Sequence, residues 1–273
     1  MSALAIAAIA RREFAKSVGN LWLPLVAFLL LIANLAVVRI GFSFAGPEDP
    51  VDSRALLLSL IHLQMYVVPL FAFVLSYAGV IAEREQGTLD LLLSYPIAYQ
   101  DLILGKWLGF SAILCVAVAT GISGAAAPMI GGDIPVKALF ELWMLSLLLG
   151  FSCVALGLAL SCIARDRTAA VAACVVLWVF FVFIFDLAFV FVQVVTEGSL
   201  PDAAIQAILL LNPAEAFRIA AILRLLPTDA VEIFGLGTGV LSFPFSLLAL
   251  AIWTTAPIGL ALVARRRLLR GES

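Results

Sequence analysis

Six long apolar segments recur along the chain, and they limit its possible folds more than any other feature. They lie at about 21–38, 56–82, 102–129, 139–164, 168–195 and 242–264. A helix needs about 20 apolar residues to cross the hydrocarbon core of a bilayer, and backbone polar groups in lipid are satisfied only within helices or closed barrels. Hydrophobic residues make up 64% of the 273 positions and charged residues 12%. The sequence therefore predicts an all-α polytopic membrane protein, a single domain over residues 1–273 with six transmembrane helices.

Two regions outside the spans show helical patterns of their own. Residues 2–18 place Arg11, Arg12 and Lys16 opposite an apolar face, which predicts an interfacial helix; a frayed tail is the alternative. The apolar residues here precede the charges, the reverse of the order in a signal peptide, so we expect the first span to be retained. Between the fifth and sixth spans, two patterns within 203–225 are too short to cross a bilayer. They predict short outer helices, re-entrant or interfacial.

The distribution of Lys and Arg predicts the orientation, because cytoplasmic loops carry an excess of both. If both termini are cytoplasmic, 11 of the 16 basic residues fall on the inner side and five on the outer side. The inner group is Arg11, Arg12, Lys16, Arg84, Lys106, Arg165, Arg167, Arg265, Arg266, Arg267 and Arg270, and the outer group is Arg39, Arg54, Lys137, Arg218 and Arg224. We therefore expect a multi-pass membrane protein with both termini, and the loop after the second span, in the cytoplasm. The net charge of −2 gives no indication of nucleic acid as a partner.

That loop, residues 83–96, is a polar to amphipathic stretch between two spans. Thr88 is predicted to cap a short helix, Asp90 then lies near the positive end of its dipole, and Pro96 ends it. A helix of about two turns is unstable alone in water, so it must dock on something. The residues themselves favour equally a soluble partner at the membrane surface and an ordinary interfacial loop lying on lipid.

A few polar residues in or near the spans are candidates for a substrate path. Asp186 lies deep in the fifth apolar run and Asn34 toward the outer end of the first. Ionisable groups in spans usually face a cavity or a partner, so both are predicted to line a path or gate; alternatively Asp186 reaches the outer interface. Glu215 and Arg218 are spaced to pair with each other, or they meet a partner outside the membrane.

The sequence offers no catalytic or metal site. Gly105-Lys106 is followed by Trp107, and Gln100 stands where a phosphate-binding loop needs its first Gly. The four cysteines lie in apolar segments and are expected to be small buried side chains, and His62 with Met65 is expected to be an interfacial polar cluster. An intramembrane enzyme would need a partner group for Asp186, and a gradient-driven transporter would need inverted repeats and several buried ionisable groups.

The pattern Glu83-Arg84-Glu85-x-Gly87-Thr88-Leu89-x-x-Leu92-Leu93-x-x-Pro96, followed by Gly105-Lys106, resembles the ABC-2 class of ABC-transporter permeases. The resemblance implies that this loop is a coupling helix seated in a cleft of a separate cytoplasmic ATPase subunit. It also implies a dimer of two such chains with two ATPase subunits, which bind the ATP and Mg, so that this chain is not itself an enzyme and holds no cofactor. The coupling residues would be Glu83, Glu85, Gly87, Thr88, Leu89, Asp90, Leu92, Leu93 and Pro96.

Within that class, the segment from Leu211 to Arg218 is similar to permeases that serve maturation of nitrous oxide reductase. This similarity implies a periplasmic β-helical partner and a role in assembling the copper–sulfur centre of the reductase. The residues expected to meet that partner are Asn212, Pro213, Glu215, Phe217 and Arg218. The alternatives are an ABC-2 exporter of another substrate, such as a lipid, glycan or drug, and a secondary transporter that works without an ATPase.

Overall fold

A computed structural model describes residues 2–44, 53–89, 97–129, 136–197, 199–227 and 242–268, and these form helices without any strand. The interfacial helix is α1 (Ala3–Gly19), and a short helix α4 (Ile81–Glu85) follows the second span. The two helices before the last span are α8 (Asp202–Leu210) and α9 (Pro213–Leu225). Six helices are long and apolar enough to cross a membrane. They are α2 (Trp22–Phe44), α3 (Ser53–Ser76), α5 (Tyr99–Met129), α6 (Val136–Ile163), α7 (Arg167–Val195) and α10 (Phe243–Leu268).

The predicted all-α fold with six spans is therefore confirmed, and the boundaries differ most at the first two spans. The first helix continues to Phe44 rather than ending at 38. The second does not run unbroken to 82, because the chain forms turns at 77–80 before α4 begins. Gly79 lies in these turns, where an added Cβ would stand 2.8 Å from Leu158 Cδ1, so the break occurs where two helices come close together.

The interfacial helix α1 packs closely against the start of α5. A Cβ at Gly105 would lie 2.7 Å from the Cβ of Ile9, and one at Gly109 would lie 2.9 Å from the Cβ of Glu13. Small residues four apart allow helix backbones to approach in this way. The sequence pattern Gly105-x-x-x-Gly109 thus accommodates α1, a helix that does not cross the membrane.

Further along α5, a second pair of glycines lies against α2. Gly121 faces Leu30 and Asn34, and Gly124 faces Leu31. Here Asn34 is fully buried, donates to the carbonyl of Leu30 at 2.8 Å and accepts from Gln64 Nε2 at 2.8 Å. This hydrogen bond joins α2 to α3, as polar side chains commonly do between membrane helices.

The helix α6 is the centre of the bundle and α7 its periphery. In the 18-residue apolar window of α6, 72% of the residues are buried, against 11% for α7. Helices α3, α5, α9 and α10 pack around α6. Span five also contains a π-helical turn at Phe180–Ile184, between α-helical stretches Arg167–Val179 and Phe185–Val195.

The second of the two short helices between spans five and six enters the bundle, whereas α8 packs on α9. Helix α9 packs against α10, α6 and α3 and buries most of its side chains, among them Phe217. Its final turn is tied to the start of α6, because Arg224 Nη2 lies 2.8 Å from Glu141 Oε1. Its first residues reach the π-helical turn of span five.

Replacing Gly105 with Ala is expected to loosen α1 from α5 and to lower stability by about 1–3 kcal/mol, a usual range for overpacking. The contact is with the Cβ of Ile9 and the carbonyl of Ile6, neither of which can turn away. Thermal unfolding of the purified chain measures the effect. Gly259→Ala is the matched control, because nothing lies within 4 Å of a Cβ there. Equal unfolding temperatures for the two variants would contradict this account of α1.

Candidate functional site

The short helix α4 is held by a hydroxyl from α6, the central helix of the bundle. Ser161 Oγ of α6 accepts the backbone N–H groups of Val80 at 2.9 Å and Ile81 at 3.0 Å. A helix start leaves such donors without an intrahelical partner. The buried Ser161 therefore completes the start of α4 and fixes its position against span four.

Two charged side chains of α4 bind the turn between spans four and five. Arg84 Nη2 donates to the carbonyls of Ala164 and Arg165, both at 2.6 Å. Glu85 accepts the backbone N–H of Arg167 at 2.8 Å, and its carboxylate also lies 3.5 Å from the Arg167 guanidinium. Arg84 thus satisfies carbonyls at the end of α6, and Glu85 lies at the first residue of α7.

The third charged side chain of α4, Glu83, faces inward to a buried lysine. Lys106 Nζ of α5 lies 2.9 Å from Glu83 Oε1 and 2.9 Å from Glu13 Oε1 of α1. Side-chain exposure is only 2% for Lys106, 5% for Glu13 and 8% for Glu83. Arg12 adds a second cation at 3.4 Å from Glu83 Oε1. We call these four residues the buried ion cluster; its two cations and two carboxylates leave it without net charge.

The residues that follow α4 begin the predicted coupling segment. Gly87 has a φ of +66° and ends α4, its N–H donating to Arg84 O, and the chain is helical again directly after it, at Thr88 and Leu89. Thr88 is already helical and its hydroxyl donates to Glu83 O at 3.2 Å, which corrects its predicted role as a cap. Leu89 is buried. The remaining predicted coupling residues, Asp90, Leu92, Leu93 and Pro96, lie outside the described residues.

The predicted coupling residues that the structure describes differ in their exposure. Glu83 is turned into the chain and occupied by Lys106 and Arg12, whereas Glu85, Gln86 and Gly87 are exposed. A partner at this surface would therefore meet Glu85 and Gly87 and would not reach the Glu83 carboxylate.

A second group of predicted residues meets at the other end of span five. Arg218 of α9 pairs with Glu215 on its own helix and lies 3.8 Å from Asp186 of span five. Asn212 caps α9 by accepting the N–H of Ala214 at 2.9 Å, and its amide donates to the carbonyl of Phe181 at 2.7 Å. We call Asp186, Asn212, Glu215 and Arg218 the outer cluster; it joins the start of α9 to the π-helical turn.

Most residues of the motif from Asn212 to Arg218 are buried inside the chain, which the sequence did not indicate. The expected contacts with a periplasmic partner include Asn212, Pro213, Glu215 and Phe217, yet all four side chains are buried against the chain. Arg218 keeps 29% of its side chain exposed. A contact with a partner therefore stays a prediction for Arg218, and for the other four it would require this helix to move.

The Glu215 carboxyl is strongly perturbed by its surroundings. Burial raises its pKa to about 7, the charge of Arg218 lowers it, and the nearby Asp186 raises it again. Two carboxylates share one guanidinium here, so the group that loses most hydration, Glu215, is the one that binds a proton near neutral pH. Asp186, at 38% exposure, has the more open position of the two.

The remaining candidates are engaged in local contacts. His62 Nδ1 lies 2.8 Å from the carbonyl of Leu58, and Met65 is fully buried in the core. Asn34 pairs with Gln64 as described above, so its role in a substrate path stays a prediction. Of the four free cysteines, Cys153, Cys162 and Cys174 are buried and Cys115 is half-buried.

Known proteins match the chain over nearly its whole length. Residues 7–270 match the family described as ABC-2 family transporter protein. The chain belongs to the ABC-2 transporter family. The “Probable ABC transporter permease protein NosY” of Pseudomonas aeruginosa is 34% identical over 263 residues, which cover 93% of this chain and 94% of that protein. A protein of the same name from Stutzerimonas stutzeri is 30% identical over 276 residues, with 96% and 98% covered.

Membership of the ABC-2 family makes the chain the membrane subunit of an ABC transporter, and the structure adds residues that sequence reasoning missed. Glu13 and Ser161 each bind α4 or its neighbour from a distant part of the chain. Lys106 gave a signal that could have been used: a lysine eight residues into a span predicts a buried carboxylate nearby. The serine gave none, because small residues are common in any packed membrane helix.

Replacing Lys106 with Met in this ABC-2 permease is expected to lower its stability by roughly 3–5 kcal/mol, because Glu13 would stay buried without a cation and Glu83 would keep only Arg12. Unfolding of the purified chain measures the loss. Lys137→Met is the control, because Lys137 is 76% exposed and lies 3.9 Å from Glu141. Adding Glu13→Gln and Glu83→Gln should restore part of the loss. No recovery in that triple variant would contradict the buried ion cluster.

The Glu215 carboxyl is expected to make stability depend on pH. Because its pKa is raised from 4.5 to about 7, the folded state binds this proton more tightly than the unfolded state. Stability should therefore fall as pH rises from about 5 to about 7, by at most roughly 3 kcal/mol, and stay level above that. Glu215→Gln should remove this slope in unfolding temperatures measured between pH 5 and 8. The exposed Glu197→Gln should keep it; a slope unchanged by Glu215→Gln would show another group at work.

Proposed function

We propose that this chain couples ATP hydrolysis by a separate cytoplasmic ATPase to movement of its membrane spans, through the segment that begins with α4. One observation carries the proposal: α4 is bonded to α1, α5, α6 and the start of α7 at once. Ser161 accepts the first backbone N–H groups of this segment, and the carbonyls after α6 accept from Arg84. Lys106 binds Glu83, and Glu85 accepts the backbone N–H of Arg167.

A push on the exposed residues 85–87 would therefore move several spans together. The bonds of Arg84 are charge-assisted and short, and those of Glu83 are buried, so α4 shifts with its neighbours and does not slide past them. The break at 77–80 separates α4 from the long part of span two. This turn allows α4 to tilt while α3 keeps its own packing.

The far end of the same path is the outer cluster. Arg167, the first residue of span five, binds Glu85, and Asp186, further along the same span, faces Arg218. Its π-helical turn meets Asn212 of α9 just before Asp186. In the proposed mechanism, displacement of α7 at its cytoplasmic start changes the outer cluster and shifts α9, which opens or closes the outer face.

The assembly we propose contains two copies of this chain and two ATPase subunits. Spans one and five leave large apolar side chains exposed, and only 28% and 11% of their windows are buried. A second copy that packs on these faces would remove part of that surface from lipid. Span one follows α1 directly, and span five begins at Arg167, which binds Glu85 of α4. Movement at the start of α7 would therefore reach the junction between the two copies.

The narrower role we propose is assembly of the copper–sulfur centre of nitrous oxide reductase, together with a periplasmic β-helical protein, at a bacterial inner membrane. The full-length similarity to two NosY permeases supports it. The motif from Asn212 to Arg218 supports it as well, because it forms the outer cluster at the end of the bundle opposite α4.

Site-directed cross-linking tests the coupling surface. A Gln86→Cys variant, treated in native membranes with a short thiol-to-amine reagent, is expected to link to an ATPase subunit, since Gln86 is exposed beside Glu85. Lys137→Cys, exposed at the opposite end of the bundle, is the matched control and should not link. Co-purification of an ATPase at a one-to-one ratio supports the complex. A chain that is isolated alone and remains functional after reconstitution would contradict it.

The narrower role has its own readout. In a strain that lacks this chain, nitrous oxide reductase should accumulate without the absorption of its copper–sulfur centre, and the restored gene should return it. A reductase with a complete centre in that strain would assign this permease to another substrate, while the cross-linking result would stand.

A further inference from the structure

A cavity of about 350 Å³ opens between α1, the end of span two and α4. Its wall includes the buried ion cluster, together with Lys16 and Asn20 of α1 and Arg167 of α7. The volume lies within the range of small-ligand sites. The cavity is at the same end of the bundle as α4 and the turn that Arg84 binds.

Charge in this cavity is strongly biased. Arg12, Lys16, Lys106 and Arg167 line it, against the two acids Glu13 and Glu83. Both acids are bound to Lys106, and Glu83 also to Arg12, so these four side chains balance one another. Arg167 lies 3.5 Å from Glu85 but keeps 45% of its side chain exposed, and Arg12 keeps 52%. Among the described residues Lys16 forms no ion pair, so the cavity presents one ammonium group without a counter-ion beside two half-exposed guanidinium groups.

Part of the cavity lining is apolar. Val74 and Leu75 of α3 and Phe110 of α5 line the same cavity. An inorganic anion would gain nothing from this wall, whereas a ligand with a charged head and an apolar body would contact both sides. Basic pockets between membrane helices at the cytoplasmic surface suit the head groups of anionic lipids.

We propose that this cavity binds the phosphate head group of an anionic phospholipid from the surrounding leaflet. Lys16, Arg12 and Arg167 would hold the phosphate, and Val74, Leu75 and Phe110 would contact the glycerol and the first methylenes of the chains. The lipid would then bridge α1 to the α4 region. The proposal does not depend on which substrate the transporter moves. Gln86, where we propose that the ATPase docks, also lines this cavity, so the test below includes the ATPase subunit.

Native mass spectrometry of the delipidated full chain in detergent tests this site. Short-chain phosphatidylglycerol is expected to bind more tightly than phosphatidylcholine with the same chains. Lys16→Gln should weaken phosphatidylglycerol binding by roughly fivefold, the effect of one basic residue at an anionic surface. Lys16→Arg should retain binding. Arg11→Gln is the matched control, because Arg11 is on the same helix but outside the cavity lining.

Four results would overturn the proposal. Equal binding of the two lipids would show that the cavity does not select an anionic head group. An equal loss of phosphatidylglycerol binding in Arg11→Gln would show only a general attraction of the lipid to the basic helix. Inorganic phosphate that competes fully with the lipid at equal concentration would identify a soluble anion as the ligand. Displacement of phosphatidylglycerol when the ATPase subunit is added would assign the cavity to that partner.

Discussion

The structure depends first on neutralising the positive charge of Lys106, which is buried where an unpaired charge is costly. Lys106 lies in a membrane helix with almost no exposed side chain, and an unpaired ammonium there would be strongly unfavourable. Its partners come from two other elements, Glu13 on α1 and Glu83 on α4. The cost of burial therefore forces three separate pieces of chain to one point. Ion pairs of this kind add little net stability over apolar residues but are destructive when one member is lost.

Once that point is fixed, the position of α4 is determined on all sides. Ser161 satisfies its first N–H groups, Arg84 closes the end of α6, and Glu85 meets Arg167. A helix of five residues has no stability of its own. It keeps its place because Glu83, Arg84 and Glu85 are each bonded to residues of neighbouring elements. This makes it suited to transmit force, since no single neighbour can yield without disturbing the others.

The sequence predicted the spans, because apolar length is a local property that needs no knowledge of partners. It also located the segment around Glu83 and the motif around Glu215 as special. It did not predict that Glu83 and Glu215 face inward, because that depends on Lys106 and Arg218 reaching them in three dimensions. It did not predict the left-handed conformation of Gly87 that ends α4, because no neighbouring residue in the sequence requires it. The sequence also did not predict the break at 77–80, because Ser161, whose hydroxyl binds the N–H of Val80, lies 81 residues further along the chain.

The packing of α1 on α5 also constrains how the two segments can change in length. Ile9 lies on Gly105 and Glu13 on Gly109, so the two contacts are four residues apart on both helices. One inserted or deleted residue between them would rotate the rest of α1 by about 100° around its axis. The glycine contact and the partner of Lys106 would then no longer face α5 together. Substitutions can be tolerated at many positions here, but relatives that keep this arrangement must keep the spacing between these positions in both helices.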